Sequence, residues 1–327
     1  MWFGLAKEGT LSDSGLTIGV IGAGRLGREH VRVYKESDSV KKVFVYDQIA
    51  DRAKEVAEKY GAAYSDSLEA LIADCEAVSI CTPASNHYEV ASMAFEKGLD
   101  VMVEKPIAAT CSEAKAMIEK AAEYDAVLQV GHIERFNGAF EAASELIDHP
   151  RFIESHRLGT FSIRGTDVSV VQDLMIHDID LILSMLWYTD VSEVRASGAS
   201  VLTESPDIVN TRIEFENGCV ANVTASRISR EPLRKIRFFQ TNRYISVDLR
   251  NKDVEAFEKA TPVGRNGDNG IESRFFRRIP VEVDRAEPLK KEIDAFLNSV
   301  KTRSKPPVTG EEALKALEVA EMILENL

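Results

Sequence analysis

The chain has 327 residues, and 44% of them are hydrophobic, which is enough for one large domain or two ordinary domains with a sizeable core. Its formal net charge of −13 argues against non-specific binding of nucleic acid, although it allows a local basic pocket for an anion. The sequence has no apolar run of transmembrane length and no recognisable signal sequence. We therefore expect a cytoplasmic protein that has neither a nucleic acid nor a membrane as its partner.

The number and spacing of the cysteines also favour a cytoplasmic protein. The four cysteines are Cys75, Cys81, Cys111 and Cys219. Their spacing fits neither a disulfide framework nor a zinc site, so we interpret them as reduced packing residues and predict no metal.

The first part of the chain alternates between two kinds of pattern. Residues 1–15 have the composition of a loose leader. Short apolar runs typical of buried strands then occur at 16–22, 41–47, 77–83, 100–106 and 126–132. Helical patterns separate these runs, and such alternation indicates βαβ units around a parallel sheet. We predict a doubly wound Rossmann domain over residues 16–133.

The sequence pattern changes beyond about residue 150, where strand-like stretches predominate. Alternating, strand-like stretches occupy 192–202, 208–228, 235–249 and 277–283, and Asn217-Gly218 is a strong hairpin signal. Two helices close the chain, and Thr309 with Glu312 fits a capping box at the start of the second. The predicted fold class is α/β, with a second α/β domain over 134–327 that carries a mostly antiparallel open sheet. The last helix could also pack back on the Rossmann domain.

One strand pair of this second domain has a very apolar face. The alternating residues are Ile213, Phe215, Cys219, Ala221 and Val223. Either a partner subunit or helices of the same chain must cover such a face. We expect a homodimer or a homotetramer that packs through this sheet.

The motif G-x-G-x-x-G appears as Gly22, Gly24 and Gly27, after the first strand and at the start of a helix. Such glycines permit a tight turn, a close approach to a pyrophosphate and close packing of the helix on the sheet. Asp47 ends the second strand about 20 residues later, where an acid accepts hydrogen bonds from the ribose hydroxyls. An acid there favours NAD over NADP, although Arg52 on the following helix leaves NADP open.

The segment "VVQDLMIHDIDLIL" (170–183) predicts a helix with an unusual polar stripe. At about 100° per residue, Asp173, His177, Asp180 and Ser184 share one narrow strip between apolar residues. Asp178 lies on the opposite side. We interpret Asp178 and Asp180 as structural residues that fix the helix or pair with an arginine of the second domain.

The order of these motifs resembles the Gfo/Idh/MocA family of oxidoreductases. The sequence runs from G-x-G-x-x-G and an acid through "TPASNH" (82–87) and "EKP" (104–106) to D-x-x-x-H (173–177), and it includes the ending "PVTGEEALKALEVA". The resemblance spans nearly the whole chain. It implies a Rossmann domain, a C-terminal α/β domain whose sheet often mediates oligomerisation, and oxidation or reduction of one sugar or cyclitol hydroxyl with NAD(P).

The resemblance also implies roles for single residues. His177 matches the general base, Lys105 matches the lysine that stabilises the developing charge on oxygen, and Asp173 matches the aspartate that orients the hydroxyl or the histidine. The implied cofactor-binding residues are Gly22, Gly24, Arg25, Leu26, Gly27, Asp47, Thr82, Pro83, Asn86, His87, Glu104 and Lys105.

Two further stretches, "GHIERFN" (131–137) and "PRFIESHRL…FSIRGTDV" (from 150 on), resemble the branch of this family that oxidises UDP-N-acetylglucosamine at the 3-hydroxyl. The implied substrate-binding residues are His132, Arg135, Asn137, Arg157, Arg164, Asp173 and His177. In this interpretation, the three arginines hold a diphosphate. In the alternative one, they pair with Asp178, Asp180 or Glu134 and hold the domains together. A reductase of an unphosphorylated sugar or cyclitol, or of a biliverdin-like substrate, and a non-catalytic NAD-bound regulator are the competing functions.

Overall fold

The computed structural model describes residues 15–162, 168–260 and 275–327, so the predicted leader falls outside it except for residue 15. The first sheet consists of β1 (Leu16–Ile21), β2 (Val40–Tyr46), β3 (Ala63–Tyr64), β4 (Ala77–Ile80), β5 (Asp100–Glu104) and β6 (Leu128–Gly131). Its helices are α1 (Arg25–Glu36), α2 (Ala50–Tyr60), α3 (Leu68–Asp74), α4 (His87–Phe95) and α5 (Cys111–Glu123).

The strand order of this sheet is β3-β2-β1-β4-β5-β6, and neighbouring strands in the described part of the chain all pair in parallel. This arrangement confirms the predicted doubly wound Rossmann sheet. The sequence did not predict β3 and α3, because a strand of two residues has no alternation to detect. The predicted third and fourth strands were too long at their carboxyl ends. Pro83 and Pro106 lack the N–H that a strand in a ladder needs.

The second domain holds α6 (Gly138–Ser144), β7 (Phe152–Leu158), a turn of π-helix (Val171–Met175) that continues into α7 (Ile176–Met185), β8 (Val191–Ala199), β9 (Ile208–Phe215), β10 (Val220–Ser226), β11 (Leu233–Phe239), β12 (Arg243–Asp248), β13 (Asp253–Lys259) and β14 (Phe276–Ile279). The strand order is β14-β13-β12-β11-β7-β10-β9-β8, and only β7 and β10 pair in parallel among the described strands. The mostly antiparallel sheet is therefore confirmed.

The predicted hairpin joins β9 to β10. Gly218 has a φ of +81°, and its N–H donates to the carbonyl of Phe215 at 2.8 Å, which closes the turn. A glycine adopts this left-handed conformation without steric cost, which explains the signal.

The apolar face of this hairpin is buried inside the chain itself. Ile213, Phe215 and Cys219 are at most 3% exposed, and they share one core with residues of α7 such as Ile179. Helices of the same chain therefore cover the face, which is the second of the two predicted possibilities. The open surface of the sheet is the opposite face.

Two final helices, α8 (Pro288–Thr302) and α9 (Gly310–Glu325), pack back on the Rossmann domain. Ile293 and Phe296 of α8 lie in the core beneath β1 and α1. The carbonyl of Val308, just before α9, accepts the N–H of Val130 at 3.1 Å. The predicted capping box of Thr309 and Glu312 is present. These contacts hold the two domains together. Among the described residues, the helices are all too short or too polar to cross a membrane.

Candidate active site

The glycine loop between β1 and α1 has space for a phosphate group. Gly22 has a φ of +99°, and a Cβ there would lie 2.7 Å from the carbonyl oxygen of Cys81. A Cβ at Gly27 would lie 1.8 Å from the carbonyl oxygen of Gly22, so α1 can approach the turn only without a side chain there. A Cβ at Gly24, in contrast, would meet no described atom within 4 Å. The loop is therefore tight on its inner side and open at the first turn of α1, where Arg25 and Leu26 are exposed and helix N–H groups attract anions.

Asp47 follows β2 and lies beside this loop. Its Oδ2 atom accepts the N–H of Ala23 and its Oδ1 atom accepts the N–H of Ile49, both at 2.8 Å. Each carboxylate oxygen keeps a second lone pair that can accept a ribose hydroxyl. The hydroxyl of Thr82 on a neighbouring loop is buried without a hydrogen-bond partner in the described part of the chain. A tight glycine loop, a fixed acid and an unpartnered hydroxyl together fit a dinucleotide.

His87 connects two loops at this edge of the sheet. Its ring nitrogens lie 2.9 Å from the carbonyl oxygens of Thr82 and Pro106. The ring is 1% exposed, and burial lowers the pKa of His87. The ring therefore lies between the loop that carries Thr82 and the loop that follows Lys105, and in its neutral state it donates its single N–H to one of the two carbonyls. The side chains of Pro83 and Asn86 lie nearer the surface of the same edge.

Lys105 follows β5 and reaches across to the second domain. Its Nζ atom donates to the backbone carbonyl of Asp173 at 2.7 Å and lies 3.5 Å from the Oδ1 atom of that residue. Burial lowers the pKa of Lys105, although the carboxylates of Asp173 and Glu104 act in the opposite direction. The structure thus brings together two of the three predicted catalytic residues, which are 68 positions apart in sequence.

His177 lies in the first turn of α7, just after the π-helical turn that contains Asp173. Within the described residues its Nδ1 atom is buried without a hydrogen-bond partner. Burial lowers the pKa of His177 well below its usual value, and the positive charges of Lys105 and Arg157 lower it further. The imidazole is therefore neutral near neutral pH, which is the state that can accept a proton.

The predicted polar stripe separates into two parts. Asp173 contacts Lys105, whereas Asp180 is 1% exposed and accepts both hydrogen bonds of a bidentate pair from Arg135, at 2.7 and 2.8 Å. The π-helical turn explains part of this difference, because it is wider than the α-turn that the sequence predicted. π-helical turns frequently occur at functional sites.

The arginines predicted to bind substrate have partners inside the protein. Arg157 is 3% exposed, and its guanidinium donates to Asp178 at 2.6 Å and to Glu134 at 2.9 Å. Arg135 holds Asp180 and also lies 3.5 Å from Glu312. These are the pairs of the alternative interpretation, in which the arginines hold the domains together. Arg164 lies outside the described residues.

Asn137 and His132, which were also predicted to bind substrate, are buried. The side-chain amide of Asn137 donates to the carbonyl of Leu249 at 2.9 Å, and its oxygen accepts the N–H of Ala139 at the start of α6. His132 is 1% exposed, and both of its ring nitrogens are without a hydrogen-bond partner among the described residues. Burial lowers the pKa of His132. The Nδ1 atom of His132 lies 3.8 Å from Oδ2 of Asp180, whereas Asn137 caps a helix.

Sequence reasoning missed a buried pair beneath Lys105. The Nε2 atom of His30 lies 3.0 Å from Oε1 of Glu104, and its Nδ1 atom lies 3.2 Å from Oγ of Ser79. Burial alone would lower the pKa of His30, but Cys81 and Glu104 outweigh it and raise that pKa well above its usual value. Burial also raises the pKa of Cys81, so its thiol is neutral. The negative charge that pairs with His30 is therefore that of Glu104. The side chain of Glu104 is therefore buried in the Rossmann domain against His30.

Family models that match both domains define the class of protein to which this chain belongs. Residues 16–132 match the oxidoreductase family with an NAD-binding Rossmann fold, and residues 147–246 match the GFO/IDH/MocA C-terminal domain. The chain is therefore an oxidoreductase with an NAD-binding Rossmann fold. The chain belongs to the Gfo/Idh/MocA family, as its motifs predicted.

Several relatives resemble the chain over most of its length. The UDP-N-acetylglucosamine 3-dehydrogenase of Acidithiobacillus ferrooxidans is 38% identical over 283 residues, which is 86% of this chain and 88% of that protein. The solved structure of that enzyme, GnnA, has a TM-score of 0.86 at 33% identity and covers 96% of this chain and 98% of its own. The myo-inositol 2-dehydrogenase of Thermotoga maritima is 27% identical over 324 residues, 92% of this chain and 93% of that protein. The family therefore comprises dehydrogenases of sugars and cyclitols, and the predicted enzyme class is confirmed.

Proposed function

We propose that the protein oxidises the 3-hydroxyl of UDP-N-acetylglucosamine, or of a closely related nucleotide sugar, to a 3-keto sugar with NAD as the oxidant. The observation that carries this proposal is the site in which Lys105 contacts Asp173 beside a half-buried, neutral His177. The similarity to a UDP-N-acetylglucosamine 3-dehydrogenase over most of the chain supports the choice of substrate.

The catalytic residues divide the work of removing a proton and a hydride. A bound nicotinamide dinucleotide supplies the hydride acceptor. His177 takes the hydroxyl proton on a ring nitrogen, and Lys105 donates a hydrogen bond to the same oxygen and stabilises its developing negative charge. Asp173 holds the Lys105 ammonium through its carbonyl and carboxylate, so it acts on the lysine rather than on the histidine. The low pKa of His177 keeps the imidazole free to accept the proton.

NAD is the proposed cofactor rather than NADP. The carboxylate of Asp47 is fixed by the N–H groups of Ala23 and Ile49, so it cannot turn away from a ligand without losing both bonds. A fixed carboxylate accepts hydrogen bonds from ribose hydroxyls and repels a 2′-phosphate.

We also propose a homodimer or homotetramer that packs through the second sheet. The face of that sheet opposite the core carries a row of aromatic rings on four neighbouring strands: Phe152, Phe239, Tyr244 and Phe257. The ring centroids are 5.8, 5.2 and 6.3 Å apart along this row. Half-exposed aromatic side chains are enriched where subunits meet.

A substrate panel tests the proposed reaction. We expect NADH formation with UDP-N-acetylglucosamine, none with free glucose, and none with myo-inositol. The variant His177→Asn, which preserves much of the ring's size and polarity, serves as the inactive control. Turnover of myo-inositol alone would assign the protein to the cyclitol dehydrogenases instead.

A further inference from the structure

Another arginine, Arg234, lies at the active-site edge of the second sheet, and no sequence motif singles it out. Arg234 on β11 is the direct register partner of Arg157 on β7. Arg234 lies on the same face of β11 as Ile236 and Phe238, which are buried in the core. It therefore occupies the end of the inner face of the sheet. Two guanidinium groups therefore lie side by side at this edge.

The two arginines differ in what they contact. Arg157 is buried, and it donates to two carboxylates, those of Asp178 and Glu134, at 2.6 and 2.9 Å. The side chain of Arg234 is 52% exposed, and its Nη1 atom lies 3.6 Å from Oε1 of Glu134, the oxygen that Arg157 already holds. That distance is too long for a hydrogen bond. The donors of Arg234 thus remain available to a ligand from solvent.

Arg234 also belongs electrostatically to the catalytic pocket. Its positive charge is one of those that lower the pKa of His177, together with Lys105 and Arg157. The pKa of Arg234 itself is lowered by burial and by the adjacent Arg157. An anionic ligand bound at Arg234 would offset the repulsion between the charges of Arg234 and Arg157 and so stabilise both guanidinium groups.

We infer that Arg234 binds the diphosphate group of the substrate and thereby selects nucleotide sugars over free sugars. This inference rests on the proposed function for the position of the sugar hydroxyl at His177. The planar guanidinium matches two phosphoryl oxygens and can hold them bidentately. With a net charge of −13, the chain as a whole repels such an anion, so a local cation is needed to retain it.

Calorimetric titration of the NAD-saturated protein with UDP and with uridine tests the inference. Arg234→Ala should weaken UDP binding about 10- to 100-fold, the range for the loss of a charge-assisted contact, and leave uridine binding unchanged. The UDP affinity of Arg234→Lys should fall between those of the parent and the alanine variant, because an ammonium keeps the positive charge but cannot form two parallel hydrogen bonds. Arg195→Ala is the matched control, since Arg195 lies on the edge strand β8 of the same sheet, is 65% exposed and pairs with Glu193.

Three results would overturn the inference. They are unchanged UDP affinity in Arg234→Ala, equal weakening of UDP and uridine, and failure of the parent protein to bind UDP. The outcome is separable from that of the proposed function. Arg234-dependent UDP binding without NADH formation from UDP-N-acetylglucosamine would reject the reaction and keep the anion site. NADH formation from UDP-N-acetylglucosamine with an unchanged KM in Arg234→Ala would keep the reaction and reject the anion site.

Discussion

Asp178→Asn should destabilise the protein because it leaves Arg157 buried with one carboxylate instead of two. Asp178 is fully buried and accepts hydrogen bonds from Arg157 at 2.6 Å and from Ser155 at 2.9 Å. Removing one partner of a buried ion pair costs about 3–5 kcal/mol, and because the contact with Glu134 remains, we expect a loss of about 3 kcal/mol. A chain of this size then melts about 6 °C lower, since each kcal/mol shifts the midpoint by about 2 °C.

Thermal unfolding followed by circular dichroism measures this loss, and Glu193→Gln serves as the control. Glu193 pairs with Arg195 on the surface, so its replacement should leave the melting temperature unchanged. The same experiment separates the two interpretations of Arg157. If Asp178→Asn melted like the parent while its KM for the nucleotide sugar rose, Arg157 would be a substrate residue and the structural reasoning would be refuted.

Further predictions concern chemistry, cofactor, pH and assembly. Lys105→Ala and His177→Ala should each lower kcat by about 100-fold or more, within the range for general acid–base groups, while calorimetry shows unchanged NAD binding; near-parental turnover would remove that residue from the mechanism. Asp47→Ala should weaken NAD binding and relax the preference over NADP, and tighter binding of NADP by the parent protein would reject the assignment. In the pH profile of kcat/KM, the acid limb should lie well below pH 6.5, because a lowered pKa keeps His177 neutral until the pH falls through it; a limb above that value would contradict the environment of His177. Light scattering should show a dimer or tetramer that Phe239→Glu dissociates, whereas a monomeric parent would count against the interface.

The motifs that could be predicted from the sequence are local ones. The glycine loop, the acid at Asp47 and the hairpin at Gly218 each depend on residues close together in the chain, where spacing and steric rules apply directly. The alternation of strands and helices likewise predicted both sheets. Lys105 and His177 were found through family motifs, since a lysine before a proline carries little information by itself.

The features that were missed depend on contacts between distant positions. Arg157 is 21 residues from Asp178 and 23 from Glu134, so a single sequence does not show that its charge is already paired. Arg234 lies on a different strand from Arg157, and only the strand register brings them together. The apolar residues of β9 and β10 were identified correctly, but their pattern alone does not tell a helix of the same chain from a partner subunit as the cover.

Transfer of deuterium from a labelled substrate tests the central claim most directly. UDP-N-acetylglucosamine with deuterium at C3 is incubated with the protein and NAD, and the reduced cofactor is analysed by mass spectrometry. The proposed reaction predicts NADH that carries the deuterium, formed together with a 3-keto nucleotide sugar, and no product with His177→Asn. Unlabelled NADH from this substrate, or turnover that survives the loss of His177, would contradict the account.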